Sequence, residues 1–151
     1  MKRVFSAGAA LLLIACGGTP ISFIAAAPQP ALTSYDCALR KINELQYTVT
    51  NTNREAGFIQ ADHQASGLAT KLFTGSEHHD QLTVSVFGDS ASGGRKMRVT
   101  AARTNQKTGV FGTSSTQAES PSEEAKTAAN EILRSCGTGP VSVQGVSAAG
   151  G

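Results

Sequence analysis

Two alternating stretches, Gln81-Leu82-Thr83-Val84-Ser85-Val86 and Lys96-Met97-Arg98-Val99-Thr100-Ala101, limit the fold more than anything else in the chain. Side chains on a strand point to opposite faces at period two, so Leu82, Val84 and Val86 share one face, as do Met97, Val99 and Ala101. The turn-forming run Asp89-Ser90-Ala91-Ser92-Gly93-Gly94 between them predicts an antiparallel hairpin with one buried face. Upstream, Tyr47-Thr48-Val49-Thr50 and Phe58-Ile59-Gln60-Ala61-Asp62 flank Asn51-Thr52-Asn53 and Gly57, which predicts a second hairpin over residues 47–62. A weaker fifth strand around Val110-Phe111 stays open.

Helical periodicity brackets these strands. Tyr35, Ala38, Leu39, Ile42 and Leu45 recur at three- and four-residue steps, predicting a helix from about Ser34 to Leu45 with Ser34 or Asp36 as its cap. Ala125, Ala128, Ala129, Ile132, Leu133 and Cys136 do the same after Ser120-Pro121, with Ser120 and Glu123 in the spacing of a capping box and Gly137 as a stop. Residues 64–80 are ambiguous: Leu68, Leu72 and Phe73 fit a short helix, whereas Gly67 and Gly75 punctuate a loop. The expected fold is α+β, a two-layer sandwich of about four antiparallel strands with the N- and C-terminal helices packed on one face.

The N-terminus carries Lys2 and Arg3, then an apolar run too short to span a bilayer, ending in Leu13-Ile14-Ala15-Cys16. This tetrapeptide resembles the lipobox of bacterial lipoproteins. The resemblance implies a leader over residues 1–15, a diacylglycerylated Cys16 that becomes the first mature residue, and an amine acylated by a fatty acid such as palmitate. Gly17 stands where, in lipoproteins of enteric-type bacteria, an aspartate marks inner-membrane retention. That implies an envelope location, in the outer membrane facing the periplasm where one exists. The rival is plain secretion with cleavage after Ala25-Ala26-Ala27, against which Pro28 counts. Residues 16–33, with three prolines and no charge, predict a flexible stem, with Ile21, Phe23 and Ile24 resting on the bilayer or on the domain. Residues 34–137 then form one domain, and 138–151 a disordered tail.

Export directs the reading of the other cysteines. Cys37 and Cys136 bracket the domain, and an oxidising compartment favours their disulfide. Of 13 basic residues the leader takes two and no acid, leaving 11 against 11 acidic ones, so nucleic acid is not an expected partner.

No catalytic, cofactor-binding or metal site emerges. His78 and His79 are adjacent, hence on opposite faces of a strand, and His63 is a distant third ligand beside Asp80. Serine nucleophile elbows and phosphate loops are missing from the sequence, and Glu123-Glu124 suit the first turn of a helix. Among Arg95, Lys96, Arg98 and Arg103, the pair Lys96 and Arg98 shares an outward face that either binds anionic lipid, lipopolysaccharide or an acidic partner, or keeps the sheet soluble.

The order helix, hairpin, insert, hairpin, helix, with Leu45-Gln46-Tyr47-Thr48-Val49 before Arg54-Glu55-Ala56-Gly57-Phe58-Ile59, resembles small envelope lipoprotein domains. Among these is the C component of the outer-membrane β-barrel assembly machinery. The resemblance implies a non-enzymatic module tethered to the membrane through its lipid, binding an envelope protein or assembling within a complex. A module binding lipid or cell-wall fragments is the alternative, and an enzyme the third.

Overall fold

A computed structural model describes residues 18–28, 30–67, 72–88, 94–109 and 112–145. The elements are β1 (Ile21–Ala26), α1 (Ala31–Glu44), β2 (Thr48–Asn53), β3 (Phe58–Gln64), β4 (Ser76–Gly88), β5 (Arg95–Thr108), β6 (Ser114–Glu119), α2 (Glu123–Cys136) and β7 (Thr138–Gly145). Residues 72–74 are helical as well. The described strands form one antiparallel sheet in the order β2-β3-β4-β5-β1-β7, with β6 on β5 as well.

This corrects the expected fold class. The sheet has seven strands where about four were anticipated, and strand residues outnumber helical ones. Three sources supply the difference. First, β4 and β5 continue past their apolar halves, pairing from Ser76↔Lys107 to Gly88↔Arg95. Second, β6 folds back on the polar half of β5, Arg103↔Glu119 through Thr108↔Ser114, displacing the anticipated fifth strand at Val110-Phe111 to later residues; those two lie outside the described residues.

Third, the anticipated stem and tail are partly strands. β1 inserts between β5 and β7, with Phe23 opposite both Val99 and Val143. Phe23 and Ala25 face the helices, while Ser22 and Ile24 on the other face are buried as well. The run Ile-Ser-Phe-Ile-Ala-Ala is therefore apolar because it is central. β7 is an edge strand, where Pro140 costs no ladder bond if its missing N–H points outward.

Inward residues of β1, β3, β4 and β5 meet the two helices in one core. Ile59, Leu82, Val84, Met97, Val99 and Ala101 are sealed from solvent against Ala38 and Ile42 of α1 and Ala125, Ala129 and Ile132 of α2. α1 starts at Ala31, three residues before the expected Ser34. Pro30 occupies its N-cap, and Ser34 is buried within the helix. α2 starts later than the capping box predicts: Ser122, not Ser120, is the N-cap, accepting from the Ala125 amide at 3.0 Å. The hairpin of β2 and β3 forms, but Asn51-Thr52-Asn53, expected to end the first strand, continue it past a register shift after Val49, and the turn is closed by Gly57 at φ +63°.

Candidate functional site

The chain joins the sheet almost at once after the proposed lipid attachment point. Cys16 and the 1–15 leader lie outside the described residues. The Gly18 amide already donates to the Ala118 carbonyl of β6 at 3.0 Å, three residues before β1 begins. A side chain at Gly18 would collide with the Glu119–Ser120 backbone, so this close approach needs glycine. At the other end of β1, the Ala27 amide donates to the Arg95 carbonyl at 2.8 Å. Residues 18–27 are thus built into the domain from end to end.

Cys37 and Cys136 stand at disulfide distance, 2.05 Å between sulfurs and 5.6 Å between Cα atoms. They link the first half of α1 to the last residue of α2 at the margin of the core. The earlier start of α1 does not bring Cys37 to the centre of the apolar face. It is partly buried, and the link lies at the edge of the helix pair.

Beneath the start of α2, the polar halves of β4, β5 and β6 bring together a cluster that pattern reasoning did not assemble. Asp80 is fully buried and in phase with Leu82 and Val84. Its Oδ2 accepts from the Ser122 hydroxyl at 2.7 Å, and its Oδ1 stands 3.6 Å from Arg103 Nε. Arg103 Nε is also 3.9 Å from Glu119 Oε2, which lies 3.1 Å from His78 Nδ1. Glu119 Oε1 accepts from Asn105 Nδ2 at 2.8 Å. Chiefly through that amide, and then through His78 and Arg103, the Glu119 carboxyl is held below its ordinary pKa despite partial burial. The signal was present in the alternation itself: Asp80 and Arg103 occupy core-facing phases of their strands, where a charge requires a partner.

Tyr47 adjoins this cluster. Its ring lies 5.1 Å from that of His63, and its buried hydroxyl has no hydrogen-bond partner. Burial, followed by the charges of Asp80 and Glu124, pushes its pKa up to about 12. A depression of about 300 Å³ opens beside it, lined by Leu45, Thr127, Ala128 and the acids Glu123, Glu124 and Glu131.

The histidines separate. His78 faces α2 with Glu119. His79 lies on the opposite face, 3.6 Å from Glu77, and His63 packs on Tyr47. Among the described residues no three His, Cys, Asp or Glu side chains converge as metal ligands. Asp80 is sealed from solvent and engaged by Ser122, so the cluster ties the start of α2 to the sheet.

The sheet face away from the helices carries a groove of its own. There Phe87, Lys96 and Arg98 line a groove of about 390 Å³ with Ile24, Ser142 and Gln144 from β1 and β7. The Arg98 guanidinium lies over the Phe87 ring, 5.1 Å from its centroid. Lys96 and Arg98 share this outward face as expected; Arg95 and Arg103 point to the helix side, where Arg103 meets Asp80. No protein-family model matches the chain, and no curated protein matches it.

Proposed function

We propose that this protein is an envelope lipoprotein, held to the membrane by acyl chains on Cys16, whose domain is a non-enzymatic protein-binding or assembly module. The observation that carries the anchor is the placement of β1. Cleavage after Ala27 would remove a strand flanked on both sides, expose the edge of β5 and leave β7 without its partner. A cut just before Cys16 leaves every residue from Gly18 onward in place. Two or more acyl chains hold a protein firmly, since each buried CH₂ is worth about 0.8 kcal/mol.

The protein-binding reading draws on the same fold. The space between helices and sheet is filled by Ile42, Ile59, Leu82, Met97, Ile132 and Leu133, all fully buried, which disfavours a lipid pocket there. The open sheet face offers an aromatic ring, two cations and neighbouring hydroxyls in one groove, a surface suited to an acidic or mixed protein patch. Two experiments test the two halves. Cys16→Ser should shift the protein from the membrane to the soluble fraction, and its retention would refute the anchor. A photo-crosslinking residue at Phe87 should give a discrete protein adduct in intact envelopes, and its absence would refute the binding face.

A further inference from the structure

We infer that Leu72 and Phe73 make a second membrane contact, seated in the same lipid surface that holds the Cys16 acyl chains; this rests on the lipid-anchored reading above. The two side chains are adjacent on the helical turn that leads into β4 and are 76% and 90% exposed. An isolated exposed leucine needs no explanation, but two neighbouring large apolar side chains this exposed form an uncovered apolar point among the described residues.

The topology places this point near the anchor. The Gly75 carbonyl accepts from the Thr108 amide at 2.9 Å, so the turn sits at the end of the sheet where β5 finishes and β6 begins. Gly18 is bonded to Ala118, four residues along β6 from Ser114 at that same end. At about 3.3 Å per strand residue and 4.8 Å between strands, Gly18 lies within roughly 20 Å of Gly75, and Leu72 and Phe73 are at most about 11 Å beyond it. Cys16 is two residues beyond Gly18, at most about 7 Å away. A lipid fixed at Cys16 therefore brings this end of the sheet to the bilayer.

The chemistry matches that position. Leucine and phenylalanine partition to the boundary between headgroups and acyl chains, about 5–10 Å deep. Lys107, exposed at the same end of β5, suits anionic headgroups. With lipid at Cys16 and apolar side chains at 72–73, two separated points orient the domain, so that the groove at Phe87 and Arg98, toward the opposite end of β4 and β5, faces away from the membrane.

The chain has no tryptophan, so Phe73→Trp creates a single fluorescent reporter. The full-length variant, extracted from membranes in detergent, is reconstituted into phosphatidylethanolamine–phosphatidylglycerol vesicles with and without brominated acyl chains. The expected result is flotation with the vesicles, blue-shifted emission, and loss of about half or more of that emission in brominated vesicles, as for a ring at acyl-chain depth. Leu32→Trp, exposed beside Val86 and Arg95 at the opposite end of the sheet, should float and stay unquenched. A floating Phe73→Trp protein with water-like, unquenched emission refutes the inference while leaving the anchor intact, and is the outcome expected if the turn serves a protein partner. Equal quenching at position 32 also refutes it. Failure to float refutes the anchor and the inference together.

Discussion

Ser122→Ala should be among the most damaging polar substitutions in the domain. The Ser122 hydroxyl has two roles: it accepts from the Ala125 amide at 3.0 Å as the N-cap of α2, and it donates to the buried Asp80 carboxylate at 2.7 Å. Loss of a serine cap costs about 1 kcal/mol. Loss of a hydrogen bond to a charged group costs about 1.5–3 kcal/mol more, because Asp80 is fully buried and water cannot replace the donor. The total is about 2.5–4 kcal/mol, a large part of the stability of a domain of this size. Urea unfolding of the oxidised protein, followed by far-UV circular dichroism, measures it as a fall in midpoint at unchanged slope. Ser120→Ala, at the position the capping-box pattern points to, should change stability by less than about 0.5 kcal/mol. Ser122→Asp separates the two roles, since aspartate caps a helix well but places a second carboxylate against Asp80. That variant should be destabilised at neutral pH although its cap is intact. A Ser122→Ala protein within about 0.5 kcal/mol of wild type, or a fully stable Ser122→Asp protein, would refute the argument.

Further expectations follow from the same contacts. Reducing the Cys37–Cys136 link, which closes a sequence separation of 99, should cost up to about 4–5 kcal/mol on the chain-entropy model, read as a drop in urea midpoint with reductant. Gly57→Ala should cost about 1 kcal/mol or more in the same assay, because the residue has φ +63° and a Cβ there would sit 2.8 Å from the Val86 carbonyl oxygen. Burial raises the Asp62 carboxyl pKa, and its Oδ1 has no hydrogen-bond partner. Its contribution to stability is present below the ordinary carboxylate range and lost as pH rises through the raised value, so Asp62→Asn should raise the thermal midpoint at pH 7. Glu119 has the opposite sign: its pKa is lowered, so its contribution is present above the ordinary value and lost as pH falls through the lowered one. Glu119→Gln should flatten that acid limb, which a series of melts across acidic pH would reveal.

The sequence made the apolar half of the sheet legible and hid the rest for identifiable reasons. Leu82, Val84, Val86, Met97, Val99 and Ala101 announce their strands because one face is apolar and the other polar. The remainder of β4 and β5 keeps the same phase with Asp80, Arg103 and Asn105 in core-facing positions, so a pattern based on hydrophobicity stops halfway along each strand. β1 was misread for the converse reason. A central strand buried on both faces does not alternate, and Pro20, Pro28 and Pro30 around it look like a linker when they are its boundaries. β7 contains Gly139 and Pro140, which suit an edge but mimic a tail. Both helices show their buried faces in the spacing of Tyr35, Ala38 and Ile42 and of Ala125, Ala129 and Ile132, whereas the cap of α2 is set by a tertiary partner, Asp80 on β4, that selects Ser122 over Ser120.

Intact mass of the protein extracted from membranes tests the central claim most directly. The expected mass is that of a chain that begins at Cys16, carries acyl chains on that residue, and retains β1. A mass matching an unlipidated chain that begins after Ala27 would contradict both the anchor and the place of β1 in the sheet.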